Sequence, residues 1–159
     1  MPPRDISKAD YEAMAQYRYA IRRFLRFSEE AAREEGVTPQ QYQLLLAIKG
    51  YPGREFANIS ELAERMQLDH HSTVGLVDRT EERGLVRRVH DTEDRRHVNV
   101  HLTADGDGLL TRLASEHRDE LRRMRQDLRP PGFGRRGSAS EQQAQRGDPP
   151  GTSRAAPPA

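Results

Sequence analysis

Along residues 8–35 the positions Met14, Tyr17, Ile21, Phe24, Ser28 and Ala31 recur at steps of three and four, which predicts a long helix with one apolar stripe, ended by Gly36. Thr38-Pro39-Gln40-Gln41 reads as an N-cap, a first-turn proline and a capping-box glutamine, opening a second helix through Tyr42, Leu45, Leu46 and Ile48. Gly50-Tyr51-Pro52-Gly53 stops it. Ser60 is then a candidate cap for a short helix that turns Leu62, Ala63 and Met66 inward. Asp69 is a candidate cap for another, with Val74, Val77 and Thr80 on its buried side. Gly84 closes that helix. Residues 85–90 and 97–103 predict two strands around the polar loop Asp91-Thr92-Glu93-Asp94-Arg95-Arg96, with Val98, Val100 and Leu102 buried and His97, Asn99 and His101 wet. Thr103 caps a last helix, whose Leu110, Ala114, His117, Leu121, Met124 and Leu128 form a second stripe.

The predicted fold class is therefore mainly α with a small β-hairpin: a winged helix-turn-helix flanked by long N- and C-terminal helices. The apolar seams of those two helices exceed what a chain of this size covers by itself, so a homodimer is expected. Two short helices, a tight turn and a hairpin place the second helix in a DNA major groove. Its groove-facing start would be His70, His71, Ser72 and Thr73, with base-edge hydrogen bonding as their role; a solvated helix start is the plainer alternative. One turn further on, Arg79 is placed to meet phosphate and Asp78 to meet a basic residue of the wing.

Composition narrows the function classes. The chain has 159 residues, 34% hydrophobic and 32% charged, in keeping with one domain plus appended sequence. The expected division is 1–129 as the folded domain and 130–159 as a Pro/Gly/Arg-rich disordered tail. Those last 30 residues hold six prolines, five glycines and a single large apolar side chain, Phe133. Net charge is only +1, and the tail's four arginines against two acids leave residues 1–129 at −1, so nucleic-acid binding has to come from local placement of cations. No apolar run is long enough for a membrane span and the start has no secretory pattern, which makes a cytoplasmic protein the expectation. The absence of cysteine excludes thiol chemistry.

Five of the six histidines fall within 32 residues, and a metal-dependent hydrolase is the enzymatic alternative. Their spacing does not gather them. Adjacent His70 and His71 diverge by about 100° on a helix, and His97 and His101 lie about 13 Å apart along a strand. No HExxH, GxSxG or phosphate-loop pattern is present, so no catalytic activity, cofactor or metal is expected. The remaining alternative is a winged-helix module that binds another protein and has no tight DNA site.

Four segments together carry a resemblance. Ser72-Thr73-Val74-Gly75-Leu76-Val77-Asp78-Arg79, Glu82-Arg83-Gly84-Leu85-Val86, Asp91-Thr92-Glu93-Asp94-Arg95-Arg96 and Leu102-Thr103-Ala104-Asp105-Gly106 resemble the MarR family of transcriptional regulators, over about residues 8–128. The resemblance implies a winged-helix homodimer that binds palindromic operator DNA as a repressor. It also implies release by a small aromatic or phenolic effector held between the dimerisation and DNA-binding parts. Carried over by position, it makes Arg96 the wing arginine that enters the minor groove and Asp94 the carboxylate that shapes the wing, with Arg95 contacting phosphate or the protein itself. The chain departs from the family pattern after residue 128, where Arg129-Pro130-Pro131-Gly132 stands in place of a further helix.

Overall fold

In a computed structural model that describes residues 5–133, α1 (Lys8–Glu34) and α5 (Ala104–Arg123) flank a helix-turn-helix and its hairpin. Between them the order is α2 (Pro39–Lys49), β1 (Phe56–Asn58), α3 (Ile59–Met66), α4 (His70–Glu82), β2 (Val86–His90) and β3 (Val98–Leu102). Local capping sets most boundaries. Ser7, Thr38 and Thr103 accept from the backbone N–H three residues on, and Ser7 and Thr38 complete reciprocal capping boxes with Asp10 and Gln41.

Four expectations are corrected. Asn58, not Ser60, caps α3: its Oδ1 accepts from Glu61 N at 3.0 Å while Glu61 Oε2 accepts from Asn58 N at 2.9 Å, so the helix starts one residue before Ser60. The hairpin has a third strand. β1 pairs antiparallel with β3, giving the order β1-β3-β2, with Ala57 opposite Val100 in the core and Phe56 opposite His101. Phe56 and His101 stack at 4.9 Å, so His101 is half-buried and not on a wet face. The last helix ends at Arg123, and Met124 is buried just beyond it. The division at residue 129 concerns a segment that lies, from 134 onward, outside the described residues.

The core runs from the end of α1 through Leu44, Leu45 and Ile48 of α2 to Leu62, Leu76, Val77, Val100 and Leu113. Two glycines are needed where they stand. Gly84 ends α4 at φ +70°, a left-handed conformation that costs a side-chain-bearing residue strain. Gly106 lies so close to the strand start that a Cβ would come within 2.0 Å of the Leu85 carbonyl oxygen. Beside it Thr103 N donates to that same oxygen at 3.0 Å, and the Thr103 hydroxyl donates to Gly84 O at 2.6 Å. The start of α5 is thereby bolted to the α4–β2 corner, which positions the helix-turn-helix and its hairpin relative to the long helices.

Candidate nucleic-acid interface

The start of α4 is held by Asp69, whose Oδ1 accepts from Ser72 N and Oδ2 from the Ser72 hydroxyl, both at 2.7 Å. These bonds, the backbone one foremost, hold the Asp69 carboxyl below the usual carboxylate range. His70, His71 and Ser72 are all exposed on this first turn. Ser72 has its proton committed to Asp69 and presents an oxygen acceptor outward.

Thr73 is different. It is fully buried, and its hydroxyl donates to Asp69 O at 2.8 Å, so it has left the groove-facing set. The buried side of α4 is Thr73, Leu76, Val77 and Thr80, with Val74 only half-buried. Thr80 likewise returns its hydroxyl proton to Leu76 O at 2.7 Å. A threonine that bonds the carbonyl four residues back satisfies its own polar group and packs like valine.

At the other end of the interface, Asp94 grips Arg96 three times: from the Arg96 backbone N at 3.0 Å, from Nε at 3.1 Å and from Nη2 at 3.0 Å. The side-chain bonds to Arg96, then the backbone one, pull the Asp94 carboxyl below its ordinary range. Arg96 is nonetheless 88% exposed at the wing, a guanidinium fixed in direction and open to solvent. Arg95 is exposed too, and its carbonyl accepts from His90 Nδ1 at 3.1 Å, which braces the strand end under the loop.

Wing and helix are linked by Arg88 of β2, which donates to Asp78 Oδ1 at 2.6 Å and to Glu81 Oε2 at 3.1 Å. The sequence places Asp78 near a basic wing residue without saying which; only the fold brings Arg88 across ten positions to it. Arg79 lies on the opposite flank of α4, in a groove of about 320 Å³ shared with Gln40 of α2, His71, Ser72 and Gly75. Among the described residues no three histidine or carboxylate side chains gather to hold a metal ion, and no helix is long and apolar enough to cross a membrane.

An exposed helix start on a helix-turn-helix, tied to a wing that carries a fixed arginine, defines a winged helix-turn-helix protein. Residues 35–97 match the model of the MarR family. It is similar to the HTH-type transcriptional repressor MdtR of Bacillus subtilis (strain 168), at 36% identity over 78 residues, 49% of this chain and 48% of the relative. The chain spans about half the length of most curated relatives it matches. Among solved structures, Sco3205 from Streptomyces coelicolor, a MarR family transcriptional regulator in complex with DNA, aligns with TM-score 0.64 at 24% identity, covering 89% of this chain and 84% of that one. NadR in complex with 4-hydroxyphenylacetate aligns with TM-score 0.61 at 20% identity, covering 81% and 87%. At these identities the structures bear on the fold. The family is one of transcriptional regulators and not of enzymes.

Proposed function

We propose that this chain is a dimeric repressor that reads a palindromic operator through His70, His71, Ser72 and Arg79 in the major groove and Arg96 in the minor groove, with Arg95 on phosphate. The observation that carries the reading is the wing. Asp94 pre-orients Arg96 by three hydrogen bonds while leaving it 88% exposed, so little entropy is lost when the guanidinium enters a narrow, electronegative groove.

Dimer formation is supported by apolar surface left uncovered in one protomer. Tyr11, Met14 and Leu25 of α1 and Leu121 of α5 are each more than a third exposed, at 58%, 37%, 46% and 45%. With half-buried Ile21 they make a seam that a second copy would cover. Effector release is supported by an open cavity of about 380 Å³ between α2 and α5, floored by Tyr42, Leu46, Ala114 and His117 and rimmed by Arg118 and Arg122. An apolar floor with a cationic rim suits an aromatic acid.

Selection of bound duplexes from a random pool, followed by titration of the enriched site at several salt concentrations and against a panel of aromatic acids, tests the whole reading. A palindromic consensus with salt-dependent affinity, weakened by one acid, is the expected result. Failure to enrich any sequence, together with a stable complex with another protein, would overturn it in favour of a protein-binding module.

A further inference from the structure

Resting on the DNA-reading role proposed above, we infer that Arg79, laid back across Gly75, is the specificity-determining residue of the recognition helix and donates both arms of its fork to a guanine edge in each half-site.

The inference starts from which side of α4 faces outward. With Thr73, Leu76, Val77 and Thr80 in the core, the opposite side is the row His71, Gly75, Asp78 and Glu82, at steps of four, three and four. The middle of that row has no side chain, because position 75 is glycine. Arg79 fills the space: its Nη1 lies 3.2 Å from where a Cβ of residue 75 would stand. The guanidinium thus runs one turn back toward the helix start, as helical side chains do, and comes to lie beside His71 and Ser72, with which it shares a groove.

Charge accounts for why the fork is available. Asp78 and Glu81, the carboxylates on the wing side of the helix, are both taken by Arg88, at 2.6 and 3.1 Å. Arg79 makes no ion pair among the described residues. Arg88 therefore does two things: it ties wing to helix, and it keeps the neighbouring carboxylates from neutralising Arg79. An arginine serving only a phosphate has no use for a bare glycine in the centre of the outward face. A planar fork directed at base edges does, because guanine O6 and N7 accept its two N–H groups only on close approach.

The experiment is a binding selection with the full chain and with Arg79→Lys, Arg79→Ala and Gly75→Ala, each variant checked for cooperative thermal unfolding. For the unaltered chain, a palindrome with one fixed G·C pair per half-site is expected. Arg79→Lys keeps a positive charge and loses the fork, so discrimination at that pair should fall by about tenfold or more while affinity for other sequences and the salt dependence stay the same. Gly75→Ala, which displaces the guanidinium, should relax the same pair while raising the melting temperature, since alanine favours helix over glycine. An effect of Gly75→Ala on base preference in a more stable protein is one that a merely structural role for Arg79 does not produce.

Two results would overturn the inference alone: Arg79→Lys with unchanged base preference, or Arg79→Ala weakening all sequences equally with a salt slope reduced by about one, the signature of a phosphate contact. If the unaltered chain enriches no sequence, the regulator reading falls and takes this inference with it.

Discussion

His117 of α5 and Ser28 of α1 are joined by a 2.7 Å hydrogen bond in the interior, between positions 89 residues apart. The other ring nitrogen, Nδ1, lies 2.6 Å from Leu113 O and donates to it. In the neutral tautomer Nε2 therefore accepts from the Ser28 hydroxyl. Tyr42, Phe27 and Phe24 surround the ring at 4.4, 5.3 and 6.0 Å. This contact pins the two long helices to each other inside one protomer, behind the α2–α5 cavity. Ser28→Ala strands the buried Nε2 and should cost about 1–3 kcal/mol of stability. Urea unfolding should show a lower midpoint at unchanged slope.

The packing of α5 against the α4–β2 corner predicts opposite effects at two glycines of one helix turn. Gly106→Ala drives a Cβ into the Leu85 carbonyl at 2.0 Å, backbone against backbone, and should destabilise by about 3 kcal/mol or prevent folding. Gly108→Ala meets only the end of Arg112, at 3.9 Å, and should stabilise by about 0.5–1 kcal/mol. Thermal melts of the two variants check the contrast.

On the wing, Arg96→Ala should weaken operator binding by about 1–3 kcal/mol without altering the melt, since the side chain is 88% exposed and, among the described residues, its hydrogen bonds go to Asp94 alone. Asp94→Ala should weaken binding less, by freeing Arg96 and not removing it. Fluorescence anisotropy on a labelled operator duplex measures both.

Assembly is tested by polar substitution in the exposed seam. Ile21→Glu combined with Leu121→Glu should convert dimer to monomer or aggregate and abolish binding to a two-half-site duplex, which needs two recognition helices held about one DNA turn apart. Sedimentation of the unaltered chain as a monomer at micromolar concentration would refute the dimer.

His101 predicts a pH dependence. Burial first, and the Arg87 charge second, lower its affinity for a proton below that of an ordinary histidine. The unfolded chain then binds this proton at a higher pH than the folded one. The stability contribution is complete above about pH 6.5 and declines as pH falls toward the lowered folded value. His101→Phe, which retains a ring against Phe56, should reduce the loss of stability between pH 7 and 5 in parallel unfolding titrations.

Much of the architecture was legible in the chain because its signals are local. Thr38, Asp69 and Thr103 cap helices with groups three residues away, and apolar periods mark α1, α2 and α5 without reference to any partner. The wing roles of Asp94 and Arg96 came from the resemblance of the DxxDRR loop, and the structure adds the bonds between the two residues. What the tertiary structure decided depends on distant groups. The strand β1 is three residues long and exists because β3 pairs with it; its sequence has no alternation to read. Which side of α4 faces out turned on Thr73, which buries itself by bonding the Asp69 carbonyl, a choice driven by the packing beneath it, whereas Thr80 was already legible as buried. Arg88 reached Asp78, Gly106 met Leu85 and His117 found Ser28 only once the helices had closed on one another, because burial and hydrogen-bond pairing between remote segments are properties of the packed chain.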